Sequence, residues 1–233
     1  MYTSYGKKSS IKKHRKENNP IFAELLKKVI KKKLGEEVEE EEESEDDDVD
    51  IYKRHNHIYY KSQVNGESVS RLRQLMERYR EEVRKIGRNE IVEEVKTKPL
   101  YIHISSSGGC LISGLNMYDY IKDYRRDIEV ICIVDGNAYS SASLMTMAGS
   151  KRYITPNSFI LIHQLSTYNG WMKYEELLDD KKNCDELMKK TKEIYMERCK
   201  FTKRELDSIL KRDLYLSAEE CLKKGLVDEI RVR

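Results

Sequence analysis

Apolar residues follow two spacings along the chain, and the two spacings alternate. Short continuous apolar runs, typical of strands covered on both faces, predict strands at 57–60, 100–104, 128–134, 153–154 and 158–162. Between them, apolar residues recur every three or four positions, which predicts helices at 68–86, 111–124 and 140–148. A turn is predicted at Asn65 and Gly66. Strands that alternate with helices indicate an α/β fold with right-handed crossovers.

The C-terminal third has a different pattern, which is mostly helical. Residues 174–199 form a long, charged stretch with helical spacing. Two capping boxes, each a Ser or Thr followed three positions later by Glu, then mark helix starts at Thr202 and Ser217. Asp213 lies in the short connection between these two helices, where a rigid scaffold can hold a functional side chain. A last edge strand is predicted within 226–232.

The first fifty residues carry two opposite blocks of charge. Residues 1–35 contain 11 Lys or Arg and 2 Asp or Glu, whereas residues 36–50 contain 12 Asp or Glu and no Lys or Arg. Apolar residues at helical spacing in the basic block are compatible with an amphipathic docking helix, but a solvated tail is the simpler interpretation. We therefore predict a charged, disordered N-terminal extension over 1–50 and a folded domain over 51–233.

Composition excludes several classes of protein. The five cysteines are odd in number and form no CxxC pair, which predicts reduced thiols and a cytoplasmic protein, with an organelle as the alternative compartment. No apolar run reaches about 18 residues and no secretory leader is recognisable, so no membrane association is expected. No phosphate-binding loop occurs in the sequence. We predict no cofactor, no metal and no nucleic-acid partner.

Ser140 is a candidate nucleophile. It follows the predicted strand 128–134 and opens a helix among small residues, so a peptide could approach its hydroxyl beside free backbone N–H groups. A serine hydroxyl needs a base within hydrogen-bond reach, and that base needs an orienting partner. The alternative interpretation is an ordinary helix N-cap, a frequent role of serine.

Three further features supply the remaining parts of an acyl-transfer site. Gly108 and Gly109 follow a predicted strand, and their N–H groups could face an oxyanion or simply form a turn. His163 ends the apolar run FILI and is a candidate base, with His103, His55 and His57 as rivals and a structural role as the alternative. Asp213 is a candidate orienting carboxylate or a solvated loop residue.

Taken together, these motifs resemble the proteolytic subunit of the Clp protease, the ClpP family. YIHISSSGG at 101–109 resembles a strand followed by SPGG, and GNAYSSASLMTMAG at 136–149 resembles GQAASMGAFLLAAG without a gap. PNSFILIHQ at 156–164 resembles PNSRVMIHQ, and RDLYLSAEECLKKGLVDEI at 212–230 resembles RDRFLSAPEAVEYGLVDEI. The resemblance extends from about Tyr52 to Ile230.

The resemblance implies a ClpP/crotonase-like α/β fold with a helical handle, and a serine endopeptidase without a cofactor. It implies Ser140, His163 and Asp213 as catalytic residues and the backbone N–H groups of Gly108 and Ser141 as the oxyanion hole. It also implies a polypeptide substrate, homo-oligomers of stacked heptameric rings and an AAA+ unfoldase as partner. The substrate-binding residues that it implies are Gly109, Cys110, Leu111, Gln164 and Leu165.

Two other functions remain compatible with the sequence. A non-catalytic ClpP-like ring subunit or adaptor would keep the fold without the activity. A crotonase-fold acyl-CoA enzyme would use the same glycine-rich turn to hold a thioester enolate, but such sites usually place carboxylates at the reacting carbon. The presence of Ser140, His163 and Asp213 together favours the peptidase.

Overall fold

The computed structural model describes residues 50–89, 98–168 and 170–232. The extension predicted over 1–50 lies outside the described residues except for Asp50. The strands are β1 (Ile51–Arg54), β2 (His57–Tyr60), β3 (Leu100–Ser106), β4 (Val130–Tyr139), β5 (Lys151–Ile154), β6 (Phe159–Leu161) and β7 (Glu229–Ile230). The helices are α1 (Gly66–Asn89), α2 (Leu111–Tyr124), α3 (Ser141–Ala148), α4 (Tyr174–Arg198), α5 (Lys203–Ile209) and α6 (Ala218–Lys224).

All the described strands belong to one sheet, in the order β1-β2-β3-β4-β5-β7, with β6 also paired to β4. Only the β1–β2 hairpin is antiparallel, and every other pair is parallel. Strand β4 is the centre of the sheet because its first half pairs with β5 and its second half with β6. Because of this change of partner, β4 and β6 end side by side, with Tyr139 paired to Leu161. Ser140 follows directly after this pair.

The α/β fold predicted from the alternating spacings is confirmed. The helix at 111–124 is observed with the predicted bounds, and both capping boxes are formed. Gly66 is not part of a turn, since α1 begins there and Asn65 caps it by accepting the Ser68 N–H at 2.8 Å. The strand predicted at 226–232 is observed only at Glu229–Ile230.

Helix α3 lies at the centre of the core, and all eight of its residues are buried. Its small residues allow α2 to approach closely at Gly114. A Cβ atom at Gly114 would lie 2.8 Å from the Cβ of Ser141, so only glycine fits there without displacing α3. The position of the first residue of α3 is therefore set by close packing.

Three arginines surround the C-terminal end of α3. Arg198 donates to the carbonyl oxygen of Met147 at 2.9 Å, and Arg125 donates to that of Ala148 at 2.8 Å. Arg152 is buried and forms an ion pair with Asp228 at 2.5 Å, and it donates as well to two backbone carbonyls. Cations at this end of a helix complement its dipole and its unpaired carbonyl groups.

We expect Arg152→Met to lower the free energy of unfolding by about 3 kcal/mol. The substitution leaves the half-buried Asp228 carboxylate and two backbone carbonyl oxygens without their hydrogen-bond donor. Partial burial of Asp228 raises the pKa of its carboxyl group. The hydrogen bonds and charge of Arg152 outweigh burial, so this pKa is lowered overall. The stability that Arg152 contributes is therefore lost as the pH falls through this lowered pKa. Urea unfolding at neutral and acidic pH measures both effects.

The neighbouring surface pair of Lys151 with Glu129 provides a matched control for Arg152→Met. We expect Lys151→Met to leave the urea midpoint almost unchanged, because exposed ion pairs contribute little. An equal shift of the midpoint in the two variants would contradict the structural role of Arg152.

Along the described ranges, no helix is both long enough and apolar enough to cross a lipid bilayer.

Candidate functional site

Ser140 lies between β4 and α3 in an unusual backbone conformation, with φ 54° and ψ −127°. A positive φ at a residue other than glycine is uncommon and costs about 1–3 kcal/mol, so the surrounding structure must hold it. The N–H of Ser140 donates to the carbonyl oxygen of Leu161 at 2.8 Å. The Ser140 side chain makes no capping hydrogen bond to α3, which argues against the N-cap interpretation.

The imidazole of His163 contacts both of the other predicted catalytic side chains. Its Nε2 lies 2.8 Å from Ser140 Oγ, and its Nδ1 lies 2.8 Å from Asp213 Oδ1. The His163 side chain is 23% exposed and that of Asp213 is 76% exposed. Three residues that are distant in sequence therefore form one continuous chain of hydrogen bonds.

The rival histidines belong to other contacts. His103 Nε2 lies 2.9 Å from His57 Nδ1, and the other nitrogen of His103 lies 3.5 Å from the Asp135 carboxylate. Between these histidines and Ser140 there is no hydrogen bond within the ranges that the structure describes. His14 lies outside the described residues.

Asp213 is exposed, but backbone hydrogen bonds on both sides of it hold the connection in place. The N–H of Gln164 donates to the carbonyl oxygen of Leu210 at 2.7 Å. Ile160 and Leu216 exchange two backbone hydrogen bonds, of 3.1 and 2.8 Å. Because Gln164 follows His163 directly, these bonds fix the loop of Asp213 relative to the imidazole.

Gly108 lies against the backbone on either side of Ser140. Its φ is 89°, and a Cβ atom there would lie 2.5 Å from the carbonyl oxygen of Tyr139 and 2.8 Å from Ser140 Cβ. Glycine is therefore required both by conformation and by space. In this structure the Gly108 N–H donates to Ser106 Oγ at 3.2 Å. The second predicted donor, Ser141, is the first residue of α3, where N–H groups lack an acceptor within the helix.

A cavity of about 180 Å³ opens beside Ser140 and His163. Its walls include every residue predicted to bind substrate: Gly109, Cys110, Leu111, Gln164 and Leu165. Hydrogen bonds from Ser113 lower the pKa of the exposed Cys110 thiol. In the described part of the chain, no group of three or more His, Cys, Asp or Glu side chains is placed to hold a metal ion.

Sequence reasoning missed the far wall of this cavity. Met188, Thr191 and Tyr195 of α4 line it, together with Leu144 of α3. The spacing of the three α4 residues places them on one helix face. That spacing was the available signal, but it is the same as that of any helix packed on a core.

The described domain is an α/β protein in which Ser140 follows β4, His163 follows β6 and Asp213 lies on the connection before α6. A family model described as Clp protease matches residues 89–233. The ATP-dependent Clp protease proteolytic subunit of Oltmannsiellopsis viridis is 33% identical over 139 residues, which are 59% of this chain and 70% of that protein. The chain belongs to the Clp protease family.

A solved structure shows a similar fold. It is a mutant of ClpP1 from Listeria monocytogenes, with a TM-score of 0.61 and 20% sequence identity over 77% of this chain and 92% of that chain. The ClpP-like fold expected from the motifs is thereby confirmed for the described domain.

Proposed function

We propose that this protein is a serine endopeptidase that hydrolyses peptide bonds of unfolded polypeptides. The observation that carries the proposal is the placement of the His163 imidazole, 2.8 Å from both the Ser140 hydroxyl and the Asp213 carboxylate. These distances lie within the range required for proton transfer between a nucleophile and a base.

The proposed reaction has two halves. His163 Nε2 takes the proton of Ser140 Oγ while that oxygen attacks the peptide carbonyl carbon, and the imidazolium then gives the proton to the leaving amine. In the second half His163 Nε2 takes a proton from a water molecule, whose oxygen attacks the acyl carbon. The imidazolium then returns the proton to Ser140 Oγ as its bond to the acyl group breaks and the carboxylic acid product leaves. Asp213 accepts a hydrogen bond from Nδ1–H and so holds the tautomer that leaves Nε2 free to act as base.

The oxyanion of the tetrahedral intermediate is assigned to the N–H groups of Ser141 and Gly108. The Ser141 N–H adjoins the nucleophile at the start of a helix, where partial positive charge favours an anion. The Gly108 N–H must exchange Ser106 Oγ for the substrate oxygen, and its present bond of 3.2 Å is long enough for that exchange to cost little.

The turn at Gly109 supports an extended substrate. The carbonyl oxygen of Gly108 and the N–H of Cys110 both bond to Val64, so the backbone groups of Gly109 point away from Val64. A peptide could pair with these groups and with the segment at Gln164 and Leu165, extending the sheet. The side chain before the scissile bond would then enter the cavity.

We further propose that the protein assembles into stacked heptameric rings that enclose a chamber. Its proposed partner is an AAA+ unfoldase. Exposed apolar side chains support contact between subunits: Trp171, just before α4, is 91% exposed and Tyr174, its first residue, is 71% exposed. The name of the algal relative describes that protein as ATP-dependent. Because this sequence contains no phosphate-binding loop, ATP hydrolysis is assigned to the partner.

A non-catalytic ring subunit is the second candidate function. The observation in its favour is the engagement of the Gly108 N–H by Ser106, which leaves one of the two expected oxyanion donors occupied. The acyl-CoA alternative has less support, because Ser140 and His163 form the hydrogen-bonded pair of a nucleophile and its base.

Labelling with a fluorophosphonate tests the peptidase proposal. We expect intact-mass analysis of the full chain to show one adduct on Ser140, absent in Ser140→Ala. Ser141→Ala is the matched control, because it removes a neighbouring hydroxyl and keeps the backbone N–H, so its adduct should remain. An unlabelled wild-type protein in its assembled form would favour the non-catalytic alternative.

A further inference from the structure

A chain of two side-chain hydroxyls connects the long helix α4 to the backbone of Ser140. The hydroxyl of Tyr195 on α4 lies 2.6 Å from Ser143 Oγ on α3. Ser143 Oγ in turn lies 2.5 Å from the carbonyl oxygen of Ser140, which also accepts the Ser143 N–H at 3.0 Å. Neither hydroxyl touches His163 or Asp213 in the described structure, so neither belongs to the proton-transfer chain.

The direction of these hydrogen bonds follows from what each group can donate. A carbonyl oxygen only accepts, so the Ser143 hydroxyl must donate its single hydrogen to Ser140. Ser143 Oγ can then only accept from Tyr195, which must be the donor of the other bond. Tyr195 therefore donates to Ser143, and Ser143 donates to the carbonyl oxygen of Ser140.

The carbonyl group of Ser140 shares a peptide plane with the N–H of Ser141. Because the peptide unit is planar, hydrogen bonds that fix the direction of the C=O also fix the opposite direction of the N–H. Donors on the oxygen also polarise the unit and strengthen the N–H as a donor, since hydrogen bonds in a chain reinforce each other.

We propose that Tyr195 and Ser143 are positioning residues that aim and polarise the Ser141 N–H toward the substrate oxyanion. This inference rests on the proposed peptidase function. It makes the oxyanion hole depend on a residue of α4, a helix that contributes neither nucleophile, base nor oxyanion donor. It also concerns this chain in particular, because Ser143 aligns with an alanine in the motif GQAASMGAFLLAAG.

The surroundings of the two hydroxyls are suited to this role. Ser143 is fully buried and Tyr195 is 2% exposed, so water does not compete for either hydrogen bond. Burial raises the pKa of Tyr195, which keeps its phenol protonated and able to donate across the physiological range.

Steady-state hydrolysis of a short fluorogenic peptide by the full chain tests the inference. We expect Tyr195→Phe and Ser143→Ala each to lower kcat about tenfold, less than the 10²–10³-fold loss typical when an oxyanion donor itself is removed. KM should be unchanged in Ser143→Ala, because Ser143 does not line the cavity, whereas Tyr195 does. Affinity for a peptide boronic acid, whose adduct places an oxygen in the oxyanion hole, should weaken by a similar factor. A smaller folded fraction would also lower the apparent kcat at constant KM, so kcat is expressed per active site titrated with the fluorophosphonate. A smaller folded fraction would not weaken the affinity for the boronic acid.

The double variant gives the sharpest test. Because Tyr195 acts only through Ser143, adding Tyr195→Phe to Ser143→Ala should change kcat no further. Tyr124→Phe is the matched control, since that buried phenol donates to the carbonyl oxygen of Met76 and its loss should leave kcat unchanged. If Tyr195→Phe fails to fold, Ser143→Ala removes the same hydrogen bond with a smaller change.

Two results would overturn the inference. One is an unchanged kcat in both folded single variants, and the other is a loss in the double variant equal to the product of the single losses. Both require an active wild-type enzyme. Wild-type protein that cleaves no peptide would instead refute the proposed function, and this inference with it.

Discussion

Replacing His163 with alanine should lower kcat for the proposed peptide hydrolysis by about 10⁶-fold. The expectation follows from the geometry, because His163 is the only described side chain that contacts both Ser140 and Asp213. Without it the serine hydroxyl keeps its proton and the leaving amine receives none. Loss of the corresponding histidine in a serine peptidase costs about that factor in kcat. Activity is measured with a fluorogenic peptide on the assembled protein.

His57→Ala provides the matched control for His163→Ala. His57 is partly exposed on the same sheet, but its hydrogen bond goes to His103, so its removal should change kcat less than about twofold. Thermal unfolding of each variant separates a lost base from a lost fold. If the His163 variant kept more than a few per cent of wild-type activity, some other group would have to be the base.

The local elements were the most predictable part of the structure. The bounds of α2 and both capping boxes follow from short-range signals: apolar spacing, Thr202 with Glu205, and Ser217 with Glu220. These signals depend on residues only a few positions apart. They therefore remain valid whatever the tertiary arrangement is.

Elements set by long-range pairing were less predictable. Strand β4 was expected to end at Val134, where the continuous apolar run ends. It continues to Tyr139, since β6 supplies a new pairing partner beyond Gly136. Strand β1 was missed because it is a short edge strand whose side chains are half exposed, so it lacks an apolar run.

In the candidate site, too, the residues were predictable from the sequence and the long-range contacts between them were not. The motif resemblance identified Ser140, His163 and Asp213, and the structure brings them together. The engagement of the Gly108 N–H by Ser106 depends on the direction of one peptide plane, which no residue pattern encodes. The contact of Tyr195 with Ser143 joins residues 52 positions apart, and nothing in the local sequence predicts it.

These contacts suggest how the site is held together. Ser140 has a strained backbone, and its carbonyl oxygen accepts hydrogen bonds from α3, which α4 supports through Tyr195. His163 is held by Asp213 and by the bond from Gln164 to Leu210, on the connection that precedes α6. Strain of about 1–3 kcal/mol persists only where several elements oppose its release. Changes in α4 should therefore reach the reacting atoms through the peptide that follows Ser140.

Replacing Asp213 with asparagine should lower kcat by about 10³-fold. Loss of a buried aspartate from such a site costs about 10⁴-fold, because the amide favours the imidazole tautomer that carries its proton on Nε2 and cannot act as base. Asp213 is 76% exposed, so solvent already screens its charge, and the expected loss is correspondingly smaller. KM should change little, because the carboxylate contacts the imidazole and lies outside the cavity.

Asp207→Asn is a suitable control for Asp213→Asn, because Asp207 lies on α5 and pairs with Lys192, away from the site. It makes the same chemical change without touching His163, so its kcat should remain that of the wild type. Asp213 is exposed and Asp207 is partly exposed, so thermal unfolding of both variants checks that a difference in kcat does not come from lost structure. A kcat within a few-fold of wild type in Asp213→Asn would mean that another acceptor orients His163. The backbone hydrogen bonds at Leu210 and Leu216 would then have only a structural role.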